Sequence, residues 1–146
     1  MQFVVKAFNE LSALELYNLL RLRSEVFVVE QNCVFLDMDN KDQIALHILG
    51  FMDHELVACT RLYDTGQYYP ESSIGRVVVS PRYRDRKLGH LLMKKSISVI
   101  ENKFDTTTIR IGAQCYLTKF YESHGFAVVG ETYLEDGIEH VEMVRN

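Results

Sequence analysis

Apolar residues fall along the chain in short runs and one-sided stripes, and the period each follows separates strands from helices. Residues 3–7 read as a first strand. Ser12-Ala13-Leu14-Glu15 matches a capping box, with Ser12 as the N-cap and Glu15 folding back onto it. Leu16, Leu19, Leu20, Arg23 and Phe27 then recur at helical spacing, which predicts a helix to about Val29. Residues 31–43 are loop-like and acidic. Two apolar runs, 44–51 and 56–63, flank Asp53-His54 and form a hairpin candidate. Residues 64–73, with Pro70, read as a loop, and 74–80 as a short strand stopped by Pro81. A second helix starts near Lys87, with Leu88, Leu92, Met93, Ile97 and Ile100 as its apolar stripe. Residues 107–113 form a β-branched strand and 116–123 a short helix stopped by Gly125. Two strands close the chain, 126–130 and 138–144, with Asp136-Gly137 as a turn signal between them.

The order β-α-β-β-β-α-β-α-β-β mixes hairpins with crossovers. It predicts an α+β fold: a mixed central sheet with helices on both faces. At 146 residues the chain can bury a sizeable core and reads as one domain over 1–146. A 47% hydrophobic, 25% charged composition excludes a disordered chain. The net charge of −4, with no basic tail, argues against bulk nucleic-acid binding and weakly favours a cationic or amine substrate. The first residues lack the apolar core and cleavage site of a signal peptide, and no apolar run approaches a membrane span. Cys33, Cys59 and Cys115 are odd in number and widely spaced, so neither a metal pair nor a disulfide framework is expected. A reducing cytoplasm is the simplest compartment.

The stretch from Val77 to His90 carries the most chemistry. A buried strand (Val77, Val78, Val79) ends at Ser80-Pro81, a basic loop follows, and an amphipathic helix begins. The backbone N–H groups at a helix start lack intrahelical partners and sit at the positive end of the dipole. Such a place binds phosphate or pyrophosphate. Arg84, Arg86 and Lys87 add positive charge, and Gly89 permits close approach. A solvated basic turn before a surface helix reads equally well from these residues alone. Neither a P-loop nor a dinucleotide fingerprint is present.

Arg84-Asp85-Arg86-Lys87-Leu88-Gly89 resembles the Arg/Gln-x-x-Gly-x-Gly/Ala signature of the GNAT superfamily of acyl-CoA N-acyltransferases, with Lys87 standing where that family usually has glycine. Downstream, Gln114 to Phe126 resembles the family's Asn-x-x-Ala-x-x-Leu-Tyr-x-x-x-Gly-Phe segment: Gln114 takes the Asn position, and Tyr121, Gly125 and Phe126 match. Arg23-Ser24-Glu25-Val26-Phe27-Val28-Val29-Glu30-Gln31-Asn32-Cys33 is similar to a stretch of the ElaA-like subgroup. So are His47-Ile48-Leu49-Gly50, Gly112-Ala113-Gln114 and Glu135-Asp136-Gly137-Ile138.

The resemblance implies a GNAT-like fold with a mixed, mostly antiparallel central sheet, and an N-acetyltransferase (EC 2.3.1.-) that uses acetyl-CoA as cosubstrate, with no metal. The amine would attack the thioester directly in a ternary complex. It implies Tyr121 as the general acid, for which a phenol with a pKa near 10 is suited. It implies CoA contacts along Val77, Val78 and Val79, at Arg84, Asp85, Arg86, Lys87, Leu88, Gly89 and His90, and at Gln114. Glu30 and His47 are candidates for the acceptor site. Glu30 could be a general base or shape that site, with a carboxylate that orders the following loop the slightly better reading; His47 and His140 both fall within strands, where either could be a base but histidine is more often structural. Asp37, Asp39 and Asp42 are expected to form a plain solvated acidic loop, since their spacing is not that of an EF-hand. The partner expected is a small-molecule or protein amine, with no nucleic acid or membrane, and a homodimer is compatible with the sequence. The rival reading is a CoA-binding regulatory module without catalysis, kept open by Lys87.

Overall fold

The computed structural model describes residues 1–146. Seven strands form one sheet: β1 (Gln2–Ala7), β2 (Leu46–Met52), β3 (Glu55–Tyr63), β4 (Ser72–Val79), β5 (Ile109–Gln114), β6 (Ala127–Glu135) and β7 (Ile138–Arg145). Their spatial order is β1-β2-β3-β4-β5-β7-β6. Every neighbouring pair is antiparallel except β4 and β5. The predicted α+β class is the observed one. Both predicted two-residue turns carry positive φ at both residues, 49° and 67° at Asp53 and His54, 52° and 78° at Asp136 and Gly137. That geometry matches the twist of the strands it joins.

Helices cover both faces of the sheet. On one side lies α1 (Ala13–Arg23), started by the predicted box: Glu15 N–H donates to Ser12 Oγ at 3.0 Å, and Ser12 N–H to Glu15 Oε1 at 2.8 Å. It buries Leu19 and Leu22, with Val26 beyond its end, against Cys59 and Val78. On the other side lies α2 (Leu88–Lys103), whose Leu88, Leu92, Met93, Ile97 and Ile100 face the main core with Ile48, Leu62, Ile109 and Met143. A short α3 (Thr118–Glu122) places Tyr121 in that same core.

The structure departs from the sequence pattern in three places. After Arg23 the helix widens into a π-helical stretch, Ser24–Glu30, which ends in i→i−5 bonds such as Cys33 N–H to the Val28 carbonyl at 3.0 Å. Strand β6 continues five residues past Gly130, where φ is +79° and the register with β7 shifts. Its mostly exposed residues carry little alternation for a pattern to detect.

The third departure is the acidic loop, which is not solvated. Asp37 and Asp42 are buried with Arg23 and Arg61 on the α1 face of the sheet. Arg23 donates from Nε to Asp37 at 2.8 Å and from Nη1 to Asp42 at 2.7 Å. Arg61 donates to Asp42 at 3.0 Å and to Asp39 at 2.7 Å, and Arg76 to Asp37 at 2.8 Å. Carboxylates three and two residues apart in sequence meet arginines from α1, β3 and β4, and so the loop is tied to the sheet by charge where apolar packing is absent. Burial pushes the Asp42 and Asp39 carboxyls up. The bonds and charge of Arg23 and Arg61 outweigh it, holding both below the ordinary carboxylate range.

Removing Arg23 leaves two buried carboxylates short of a partner. Arg23→Ala is expected to lower stability by about 3–5 kcal/mol, read as a fall in the urea midpoint. Because the folded-state pKa values of Asp39 and Asp42 are depressed, their contribution is present above the unfolded carboxyl pKa and lost as pH falls through the folded value. Wild-type stability should therefore drop progressively below about pH 4, and Arg23→Ala should show a shallower drop.

Candidate active site

The site is set by the way β4 and β5 part. They pair only at Ser72–Ile109 and Ser73–Arg110. Beyond Ser73 a bulge inserts an extra residue into β4 opposite Thr60, with Arg76 at φ 50°. Val78 and Val79 then pair with Cys59 and Ala58 of β3 on one side, Val77 lies in the bulge, and none of the three has a strand on the other side. Gly112, Ala113 and Gln114 pair with β7. The wedge between them opens into a cavity of about 930 Å³.

One end of the cavity is the start of α2. The basic loop is a 3₁₀ segment, Pro81–Arg86, and Lys87 joins it to the helix in a left-handed conformation, φ 58° and ψ 27°. No side chain caps α2, so the N–H groups of its first turn are free to meet an anion. Lys87, Gly89 and His90 line the cavity there. A Cβ at Gly89 would meet only the Phe120 ring, at an ordinary 3.5 Å, so protein packing does not demand the glycine and its bareness serves the cavity side. Lys87 occupies the αL position that glycine takes most easily.

Of the residues expected to touch CoA, Val77, Val78, Val79, Arg84, Lys87, Gly89, His90 and Gln114 lie on the cavity wall. Asp85, Arg86 and Leu88 do not: Arg86 lies over the Tyr83 ring at 4.9 Å and Leu88 is buried in the core. Arg84 is already engaged, for its guanidinium makes two 2.6 Å bonds to Glu30. That pair closes the end of the π-helical stretch onto the basic loop, and the bond from Arg84 holds the Glu30 carboxyl below its usual range. Gln114 exchanges two amide bonds with Gln31, at 3.1 and 3.2 Å, which ties β5 to the same stretch.

Tyr121 lines the cavity from the core side and is 7% exposed. Burial raises its pKa and no hydrogen bond offsets this, so the hydroxyl keeps its proton across the neutral range. His47 lies off the cavity. Its Nε2 sits 2.8 Å from the Asp42 carbonyl, and burial lowers its pKa, so it is a neutral member of the charged loop's surroundings. The three cysteines are free. Burial pushes the Cys59 thiol up to about 12, which leaves it inert.

The far wall was legible only in part, since Phe35, Leu36 and Tyr68 carry no signal and His140 and Glu135 to Ile138 could not be placed there. It comes from the loop after α1 (Phe35, Leu36), from Tyr68, and from the β6–β7 turn (Glu135, Asp136, Ile138, His140). The Cys33 thiol donates to the Asp136 carbonyl at 3.1 Å and joins loop to turn over the cleft. The turn itself was legible as Asp-Gly, but nothing in a hairpin signal says which surface the hairpin leans over.

The site is therefore a mostly antiparallel sheet that parts at one parallel pair, with an uncapped helix start at the mouth. Residues 22–146 match the acetyltransferase (GNAT) domain family. The chain is 43% identical over 139 residues to protein ElaA of Escherichia coli K12, covering 94% of this chain and 91% of that one. The crystal structure of E. coli ElaA superimposes with a TM-score of 0.92 at 40% identity over 99% of both chains. An acyl-CoA N-acyltransferase from Pseudomonas aeruginosa superimposes with a TM-score of 0.93 at 38% identity over the full length of both. The chain belongs to the GNAT acetyltransferase family, whose fold serves acyl transfer from acyl-CoA, and is similar to the ElaA proteins within it. No helix is long and apolar enough to cross a membrane.

The αL backbone at Lys87 costs a non-glycine residue about 1 kcal/mol. Lys87→Gly is expected to raise the thermal unfolding midpoint by the equivalent of up to about 1 kcal/mol. A lower midpoint would show that the lysine side chain supplies a folded-state contact larger than its backbone strain.

Proposed function

We propose that this protein is an N-acetyltransferase that moves the acetyl group of acetyl-CoA to an amine by direct attack in a ternary complex. The observation that carries this reading is that one cavity joins an uncapped helix start, an unpaired strand edge and a buried tyrosine. The free N–H groups of the first turn of α2 would take the pyrophosphate, with Lys87 adding charge. The unpaired edge of β4 at Val77, Val78 and Val79 would bond the pantetheine arm as a strand would, and offer a backbone N–H to the thioester oxygen as negative charge develops there.

With both substrates held in the cleft, proximity can contribute about 7–11 kcal/mol to lowering the barrier. Tyr121 would donate its proton to the leaving thiolate, a role that suits a hydroxyl held protonated by burial. The Glu30–Arg84 pair would fix the mouth between the basic loop and the acceptor side, and Gln114, held by Gln31, would set the end of β5. The acceptor is an amine, and the whole chain would act as one catalytic domain.

Three measurements test this reading. Acetyl-CoA at millimolar concentration should raise the melting temperature by mass action, and no shift would exclude CoA as the cosubstrate. A panel of amines assayed for free thiol release should contain at least one acceptor. Tyr121→Phe keeps the ring and should lower kcat by roughly 10²–10⁴ with little change in KM for acetyl-CoA. The wild-type alkaline limb should lie above about pH 10, because burial raises the phenol above its free value. An unchanged kcat in Tyr121→Phe would remove Tyr121 as the acid, whereas CoA binding without turnover on any amine would favour a regulatory CoA-binding module.

A further inference from the structure

Charge is distributed unevenly along the cavity. Glu30 is paired with Arg84, and Asp39 with Arg61 and Arg76. Two sets of charges remain without an opposite partner: Lys87 at the α2 end, and the carboxylates of Glu135 and Asp136 at the β6–β7 turn. The only ion-pair contact of Glu135 is with His140, whose Nε2 stands 3.6 Å from Glu135 Oε2. The wall beside that turn is apolar and aromatic, made by Phe35, Leu36, Tyr68 and Ile138. Leu36 is 73% exposed there, a large apolar group at the rim with nothing covering it.

His140 is built into this wall as a proton acceptor. It stands opposite Gln114 across β5 and β7, at the end of β5 where the cleft opens. It is 7% exposed and stacked at 5.8 Å on the ring of Tyr133. Its Nδ1 lies 2.8 Å from the Ile138 carbonyl. A carbonyl can only accept, so Nδ1 carries the hydrogen and the neutral ring has its lone pair at Nε2. The Glu135 carboxylate lies where it would stabilise the imidazolium once a proton arrives. The other histidine on the cavity wall, His90, belongs to the phosphate end and is bonded through Nδ1 to His124 at 2.9 Å.

Resting on the acetyltransferase reading, we infer that the acceptor is a hydrophobic primary amine, that it enters beneath the β6–β7 turn beside Glu135, and that His140 Nε2 is the base that takes its proton. The amine lone pair forms the bond to the thioester carbon, and the carbon–sulfur bond breaks with its electrons going to sulfur. The proton of the amine goes to His140 and that of Tyr121 goes to the thiolate. Passage of one proton from His140 to Tyr121 through solvent closes the cycle. The titratable groups on the same side are Tyr133, Glu135 and Asp136, and the charged groups across the cavity are the Glu30–Arg84 and Asp39–Arg76 pairs.

Phenethylamine, a flat apolar group carrying one primary amine, is the probe. The wild type should bind CoA in calorimetry and acetylate phenethylamine. His140→Asn keeps a donor where Nδ1 stands and removes the Nε2 acceptor, whereas His140→Gln puts an amide near the Nε2 position. Both should bind CoA as the wild type does and lose roughly 10²–10⁴ in kcat. The rising limb of the wild-type kcat/KM pH profile should coincide with the His140 ring titration followed by NMR, and should be absent from both variants. Full activity in His140→Asn, or a limb that does not follow the His140 titration, overturns the base. The titration comparison decides alone if neither variant folds. If CoA binds and another amine is acetylated while phenethylamine is not, the acceptor class is overturned and the transferase reading stands. If CoA does not bind at all, that reading fails and this inference fails with it.

Discussion

The parting of β4 from β5 is the constraint on which the rest of the molecule depends. Parallel strands in a sheet normally satisfy each other's backbone groups along their length. Here they do so at two positions and then diverge. An unpaired strand edge inside a protein is costly unless something else bonds to it, and an extended arm rich in amide groups is the kind of partner that can. The bulge at Arg76 makes the divergence, since the extra residue bends β4 away while its β3 pairing continues on the far side. Each remaining feature of the site sits on this wedge: α2 begins at its mouth, Tyr121 closes its core side, and the β6–β7 turn leans over its far side.

The wedge needs rigid walls, and on the α1 face they are made with buried charge. Arg76, whose strained backbone makes the bulge, is held by Asp37, and Asp37 is held by Arg23 of α1. Asp42 bridges Arg23 to Arg61, and the loop that carries these aspartates continues into the cavity wall at Phe35 and Leu36. A buried ion network is a poor source of net stability compared with apolar packing, but losing any one member is expensive. Its value here is geometric. Bonds of fixed direction between α1, the loop and two strands set where the loop lies, and so where the Phe35–Leu36 wall of the cavity begins.

The same logic accounts for the polar ties around the mouth. The Glu30–Arg84 pair and the Gln31–Gln114 amide pair each join the π-helical stretch to an element across the cleft, one to the basic loop and one to β5. The wider π turn brings Phe27, Glu30 and Gln31 to the cavity wall. Such turns are common at functional sites because they break the regular placement of side chains. Arg84 thereby acts on the shape of the mouth, and the uncapped start of α2 and Lys87 are left facing the cavity.

Local chemistry was enough to read much of this chain. The apolar runs of β2 and β3, the stripe on α2, the Ser12–Glu15 box and the two positive-φ turns are written in residues close together in sequence, each with its own steric or hydrogen-bonding cause. The basic loop into α2 was legible for the same reason, whereas Tyr121 was singled out only by the family resemblance, and the structure puts it on the cavity wall. The buried state of Asp37 and Asp42 was not legible, because a carboxylate's environment depends on arginines brought from α1, β3 and β4. Nor was the placement of His140, a strand histidine like His47 by sequence. One faces the cleft and the other a carbonyl outside it, because strand order and the lean of the last hairpin put them there. The sequence by itself determined the elements, their order and the basic loop that leads into α2. The tertiary structure decided which charges are buried, which strand edge is left unpaired and which histidine meets the cavity, since each of these depends on contacts between residues far apart in the chain.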